Sequence, residues 1–352
     1  MNTNAAFVAQ ILETSASGLA GMSAGLLLER GPEIAVRYEP GGFSSWKAQL
    51  KRCLIDLSTA VATGEPRLFE ARVLWIRDAF VARQAPVGDL RAALLALRDI
   101  LQERLPANSV EAAIPTVDRA IAAIAEPAAE PDVVDRAPDQ LDKLALSYLH
   151  TILEGKPREA LERLLHEVDD GMSVREAYLR VLLPAQRETG RMWHAGELLI
   201  VEEHVITTTT RRAMTLLCER GRASVCQDKT AVLACVAGNV HDIGICAISD
   251  FFEMAGWRAI NLGPNVPDEE IARSVQLFDA DAVLLAATLD PHLKEVQRAI
   301  EGVRVLGERD TKIIVGGPAF EPVPDLWRKL GADGYSARIE ESEPLAARLT
   351  RS

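Results

Sequence analysis

Two histidine-bearing stretches hold the residue types best suited to chemistry. Residues 191–204 read RMWHAGELLIVEEH, bringing Trp193, His194, Glu203 and His204 close together in the chain. Residues 238–244 read GNVHDIG, with His241 and Asp242 between Gly238 and Gly244. A neutral imidazole is a good ligand for a transition metal, and a polar partner on its other nitrogen fixes the tautomer. Tryptophan adds a broad, flat apolar surface. The pair of stretches suits one flat, metal-bearing cofactor addressed from two sides. GNVHDIG lacks both GxxxxGK and GxGxxG spacing, so it is not a phosphate loop.

The elements around these stretches follow from periodicity. Residues 1–130 read as helices, among them 67–84 and 90–106, with apolar residues three and four apart. YEPGGFSSW (38–46) breaks the pattern. A linker rich in Pro, Ala and acid is expected at 131–140. Four helices with short connections follow over 141–225, as in an antiparallel bundle. Here Gly196 should end one helix, leaving Trp193 and His194 at its end and Glu203–His204 about two turns into the next. From 229 to 350 short apolar runs (TAVLACV, RAINL, AVLLAAT, KIIVGG) alternate with amphipathic helices near 243–255, 268–277, 293–306 and 324–330. GADGY should feed a last short strand. That alternation means a parallel sheet with helices on both faces. The fold expected is α plus α/β: an N-terminal helical domain, a four-helix-bundle cap and a Rossmann-like, flavodoxin-like sheet domain. GNVHDIG directly follows the first strand, where open parallel sheets bind ligands.

Composition narrows the function. A formal charge of −12 over 352 residues opposes broad nucleic-acid binding, which needs a basic face. No run approaches the roughly 20 apolar residues of a membrane span, and no basic, then apolar, leader opens the chain. The five cysteines (Cys53, Cys218, Cys226, Cys235, Cys246) form no CxxC pair, which fits reduced thiols and a cytoplasmic location. His150, His166 and His292 are read as surface or cap residues. TTTTRR (207–212) is read as helix surface, with arginines able to meet a ligand carboxylate.

GNVHDIG resembles the DxHxxG motif of cobalamin-binding domains. LLAATLDPHL and the Gly316–Gly317 pair in IIVGGPAF match that family's second and third motifs in order. The resemblance implies that His241 is the lower axial ligand of cobalt. It also implies that the displaced nucleotide tail runs beside Ala286, Thr288, Gly316 and Gly317, where a side chain would fill the tail's volume. Asn239 stands where the motif has Asp, which makes the partner of His241 neutral. Ala286 stands where the second motif has Ser, with Thr288 nearby as a substitute.

Trp193 followed by Glu203–His204 resembles the Wx9EH signature of CarH-type cobalamin photoreceptors. The resemblance implies that Trp193 packs on the adenosyl group of adenosylcobalamin, that Glu203 and His204 help hold it, and that His194 takes the upper cobalt position after photolysis. No DNA-binding module precedes the cap, so direct DNA binding is not expected. The architecture resembles photocobilins, which implies possible biliverdin binding, with Trp46, Trp75, Arg77 and Arg211–Arg212 as candidate contacts. The expected function is light-dependent change of domain arrangement or homo-oligomer state, read by a downstream protein or enzyme partner. The alternative is a corrinoid carrier of methyl groups for a methyltransferase system.

Overall fold

The computed structural model describes residues 3–125, 141–221, 228–306 and 310–351. The expected linker and Cys226 lie outside them. The chain forms two compact bodies, Met1–Asp132 and Val133–Ser352.

The first body is helical throughout its described residues: α1 (Thr3–Arg30), α2 (Pro32–Arg37), α3 (Gly42–Thr63), α4 (Pro66–Ala82), α5 (Val87–Arg104) and α6 (Ala107–Ala125). Helix α1 corrects one expectation. Ala5–Arg30, with mean hydropathy 1.3, is long and apolar enough to cross a membrane by length and composition. In this fold it packs on α3 and α5 and buries Val8, Leu12, Leu19 and Leu27, as a core helix does.

The second body opens with a bundle. Helix α7 (Lys143–Leu153) is capped by the Asp142 carboxylate, which accepts from Leu144 N at 3.1 Å. Pro157 opens α8 (Pro157–Asp169), where its missing N–H costs nothing. A Ser173–Glu176 capping box starts α9 (Val174–Glu176), which runs through a π-helical turn at Ala177–Leu182 into α10 (Leu183–Ala195). Gly196 ends α10 at φ 78°, a left-handed conformation that glycine adopts without strain. Helix α11 (Ile200–Gly221) completes the bundle. Tyr148, Leu161, Tyr178, Leu182, Ile206 and Met214 fill its interior, and the same cluster takes in Ala247 and Phe251 of the next helix. The bundle is thus packed onto the sheet domain through a shared core.

That domain runs β1 (Thr230–Cys235), α12 (Ile243–Met254), β2 (Arg258–Asn261), α13 (Asp268–Leu277), β3 (Ala282–Ala286), α14 (His292–Leu306), β4 (Lys312–Gly316), α15 (Leu326–Leu330), β5 (Gly334–Ser336) and α16 (Ser342–Leu349). All five strands are parallel in the order β2-β1-β3-β4-β5. Ala231, Leu233, Cys235, Leu284 and Ile314 pack under α12 and α16. Helix α13 packs on β1 and carries α14 beside it. The chain reverses direction of winding between β1 and β3, so the loops leaving their carboxyl ends diverge and leave a crevice there.

Candidate functional site

His241 sits on the loop between β1 and α12, beside that crevice, with its ring exposed. Asn239, fully buried, sets the orientation. Its Nδ2 donates to the Ala286 carbonyl at 2.9 Å, which leaves Oδ1 as the acceptor. Oδ1 accepts from His241 N at 3.2 Å and faces His241 Nδ1 at 3.4 Å. Nδ1 therefore carries the proton, and Nε2 keeps its lone pair for a ligand.

A cavity of about 810 Å³ opens over this loop. Its lining joins the bundle to the carboxyl ends of β1, β3 and β4. From the bundle come Trp193, Ile200, Glu203, His204, Thr207 and Arg211. From the sheet domain come His241, Asp242, Gly244, Ala286, Thr288, Gly316 and Gly317. It also reaches Leu284, Ile314, Ser336 and Ser342, along the strands and onto α16. Sequence-derived candidates from the two halves thus share one cavity. Two stand outside its lining: Asn239 lies behind His241, and His194 is half-buried near the end of α10.

The upper wall is ordered by α11. Glu203 closes its first turn and His204 follows directly, not two turns in, because the helix starts at Ile200. Their side chains meet at 2.5 Å, and Thr207 Oγ1 donates to Glu203 Oε1 at 2.7 Å. Gln186 of α10 donates to Thr210 Oγ1 at 2.9 Å, tying the two helices together. Arg211 Nη2 reaches Asp242 Oδ1 at 2.5 Å, across from the bundle to the His241 loop. The glutamine contact is legible only once α10 and α11 are placed side by side, and the arginine contact only once α11 is placed beside the His241 loop. The four-residue step from Glu203 to Thr207 to Arg211 was the available signal.

Gly316 and Gly317 line the cavity as expected, and close backbone approach requires glycine at both as well. A Cβ on Gly317, which has φ 106°, would lie 2.2 Å from the Ala287 carbonyl oxygen. One on Gly316 would lie 2.9 Å from the Ser336 carbonyl oxygen. Both are demanded by close backbone approach between neighbouring loops. Gly244 is the glycine that leaves room: a Cβ there would touch nothing within 4 Å, and the residue lines the cavity.

His292 is corrected from a surface residue to a buried one. At 7% exposed, its Nδ1 accepts from Leu289 N at 3.1 Å and Thr288 N at 3.3 Å, bracing the loop after β3. Burial, then the nearby His241, hold its pKa below the usual imidazole value. His150 and His166 are exposed beside Glu154 and Asp170. Trp46 is buried, its ring at 81° to that of Tyr38 with centroids 5.4 Å apart. Trp75 carries Arg72 over its ring at 4.1 Å, and Arg77 pairs with Asp78 at 2.9 Å.

The arrangement fits a corrin ring. Among the described residues no cluster of three or more His, Cys, Asp or Glu could hold a bare ion. A single imidazole with a fixed tautomer suits a metal whose other ligands come with a macrocycle. The cavity's extension between β3, β4 and α16 suits a tail.

Comparison with known proteins points the same way. Residues 229–344 match a family described as B12 binding domain, and residues 144–217 match a second family of the same description. The dimethylamine corrinoid protein 3 of Methanosarcina mazei is 31% identical over 116 residues, covering 32% of this chain and 68% of that protein. The HTH-type transcriptional repressor CarH of Myxococcus xanthus is 26% identical over 156 residues, 44% of this chain and 52% of that protein. The solved monomethylamine corrinoid protein of Methanosarcina barkeri shares the fold, with TM-score 0.50 at 20% identity over 61% of this chain and all of that one.

Proposed function

The chain belongs to the B12-binding domain family of corrinoid proteins, and from that membership we propose that it is a light-responsive adenosylcobalamin protein. The observation that carries this reading is a shared cavity: Trp193, Glu203 and His204 line it from the bundle, and His241 lines it from the sheet domain. His241 would hold cobalt from below through Nε2, with Asn239 fixing the ring. Adenosylcobalamin would supply a cobalt–carbon bond that visible light breaks. Trp193 offers its flat face to the organic group above, and the Glu203–His204 pair offers polar contacts to it. His194 lies two residues before the glycine that ends α10 and outside the cavity lining, so its approach to the metal requires α10 to move. Loss of the organic group would thereby favour displacement of the bundle, with His194 and Trp193 of α10 moving together, a switch between two packings. The output is a light-dependent change in homo-oligomer or domain arrangement, read by a protein partner in the cytoplasm. Of the contacts expected for biliverdin, Trp46 is buried and Trp75 exposed in the first body, and Arg211 lines the cavity of the second, so added biliverdin is to be tested as a second chromophore by the same absorption measurement.

A second reading is favoured by the dimethylamine corrinoid relative: a carrier that shuttles methyl groups between methyltransferases. One experiment separates the two. The protein is loaded with adenosylcobalamin in darkness, lit with green light, and followed by absorption and size-exclusion chromatography. A stable two-imidazole spectrum that His194→Ala abolishes supports light sensing. No spectral change, or one indifferent to His194→Ala, with methyl transfer from methylcobalamin in the dark, supports the carrier.

A further inference from the structure

Helix α11 contributes to both sides of the cavity. Glu203, Thr207 and Arg211 follow at four-residue spacing on one face, and all three line it. The first two belong to the upper wall. Arg211 instead reaches down to Asp242, the residue after His241 and the one preceding α12. The Asp242 carboxylate sits at a helix N-terminus yet makes no bond to the α12 amides. Its side chain is 11% exposed and engages Arg211, which is 49% exposed. A carboxylate so placed would ordinarily cap its own helix. Here it is directed to a different module.

We propose that Arg211 is a positioning residue: through Asp242 it latches the bundle to the loop that carries His241, so bundle displacement and the setting of the lower ligand are mechanically linked. The inference rests on the cobalamin-site reading but not on the response to light. With the latch formed, α11 lies over the cavity and the His241 loop is held from above as well as by Asn239. With it broken, the bundle retains its shared core with α12 but loses its charged tie at the cavity's edge.

Hydrogen exchange on the cofactor-free chain tests this first. Arg211→Ala should speed exchange of the α11 amides by about tenfold, the scale of one lost charge-assisted hydrogen bond. The second measurement is release of bound aquocobalamin, which should also speed by about tenfold in Arg211→Ala and show weaker histidine ligation in its absorption spectrum. Arg211→Lys keeps the charge and should recover most of both effects. Unchanged α11 exchange in a folded Arg211→Ala protein overturns the latch. So does loss of cobalamin uptake with exchange unaltered, which would make Arg211 a direct ligand contact. If the wild type takes up no cobalamin, the site reading fails while the exchange measurement still decides the latch.

Discussion

At the residue scale, the strictest requirements lie at positions with no room for an atom. Gly317 combines φ 106° with a Cβ position 2.2 Å from a carbonyl oxygen. Gly317→Ala should therefore cost about 3 kcal/mol, from overpacking and left-handed strain together, read as a lowered denaturation midpoint. A different residue, Asp250 of α12, controls a pH response. Burial pushes its carboxyl up to about 6, against hydrogen bonds from Tyr178 and Cys218 that pull it down and a nearby Glu253 charge that pushes it further up. Tyr178 Oη has one proton and two acceptors in reach, Asp250 Oδ2 at 2.5 Å and the Met214 carbonyl at 3.0 Å. A protonated Asp250 can donate to the phenol oxygen and leave the phenol proton for Met214. The folded state thus holds this proton more tightly than the unfolded chain. The contribution is full below pH 3.8 and is lost as pH rises through about 6. Asp250→Asn should stabilise the protein at pH 8, by up to about 3 kcal/mol, and give no gain at pH 4. Chemical denaturation at the two pH values checks it.

At the scale of elements, the sheet was readable because buried parallel strands are continuous apolar runs. TAVLACV, RAINL, AVLLAAT and KIIVGG each contain one observed strand, and the segment expected to be α13 coincides with it. Helix α16 gave too little signal: eight residues in which Ala346 is the buried apolar side chain, after an acidic run. The start of α11 was misjudged because Glu197 and Leu198 continue the apolar and acidic pattern, while Gly196 and the following turn delay the helix to Ile200. The site's imidazole and its neighbours were legible from spacing. The Arg211–Asp242 contact was not, because it joins residues 31 apart through the packing of two modules. The end of α10 offers a test at this scale. Gly196→Ala should destabilise the bundle by about 1 kcal/mol, since alanine resists the left-handed conformation there. A shift in Trp193 fluorescence should accompany it.

At the scale of the whole molecule, each body has its own core, and every residue lining the cavity belongs to the second. Residues 133–352 made alone should therefore unfold cooperatively and take up cobalamin with the affinity of the full chain, measured by absorption titration. A large loss of affinity would mean that the helical first body contributes to the site. Composition alone could not assign that body a role, because amphipathic helices report a core and not a ligand.

The π-helical turn at Ala177–Leu182 gives this architecture an uneven tolerance to length change. Such a turn carries one residue more than α-helical winding needs, so excising one residue inside it should restore regular winding and leave Trp193 aimed as before. The same excision within α10 should swing everything beyond it by about 100° and turn the indole away from the cavity. Single-codon deletions across 177–192 should therefore divide into a permissive cluster and an intolerant remainder when scored by cobalamin retention.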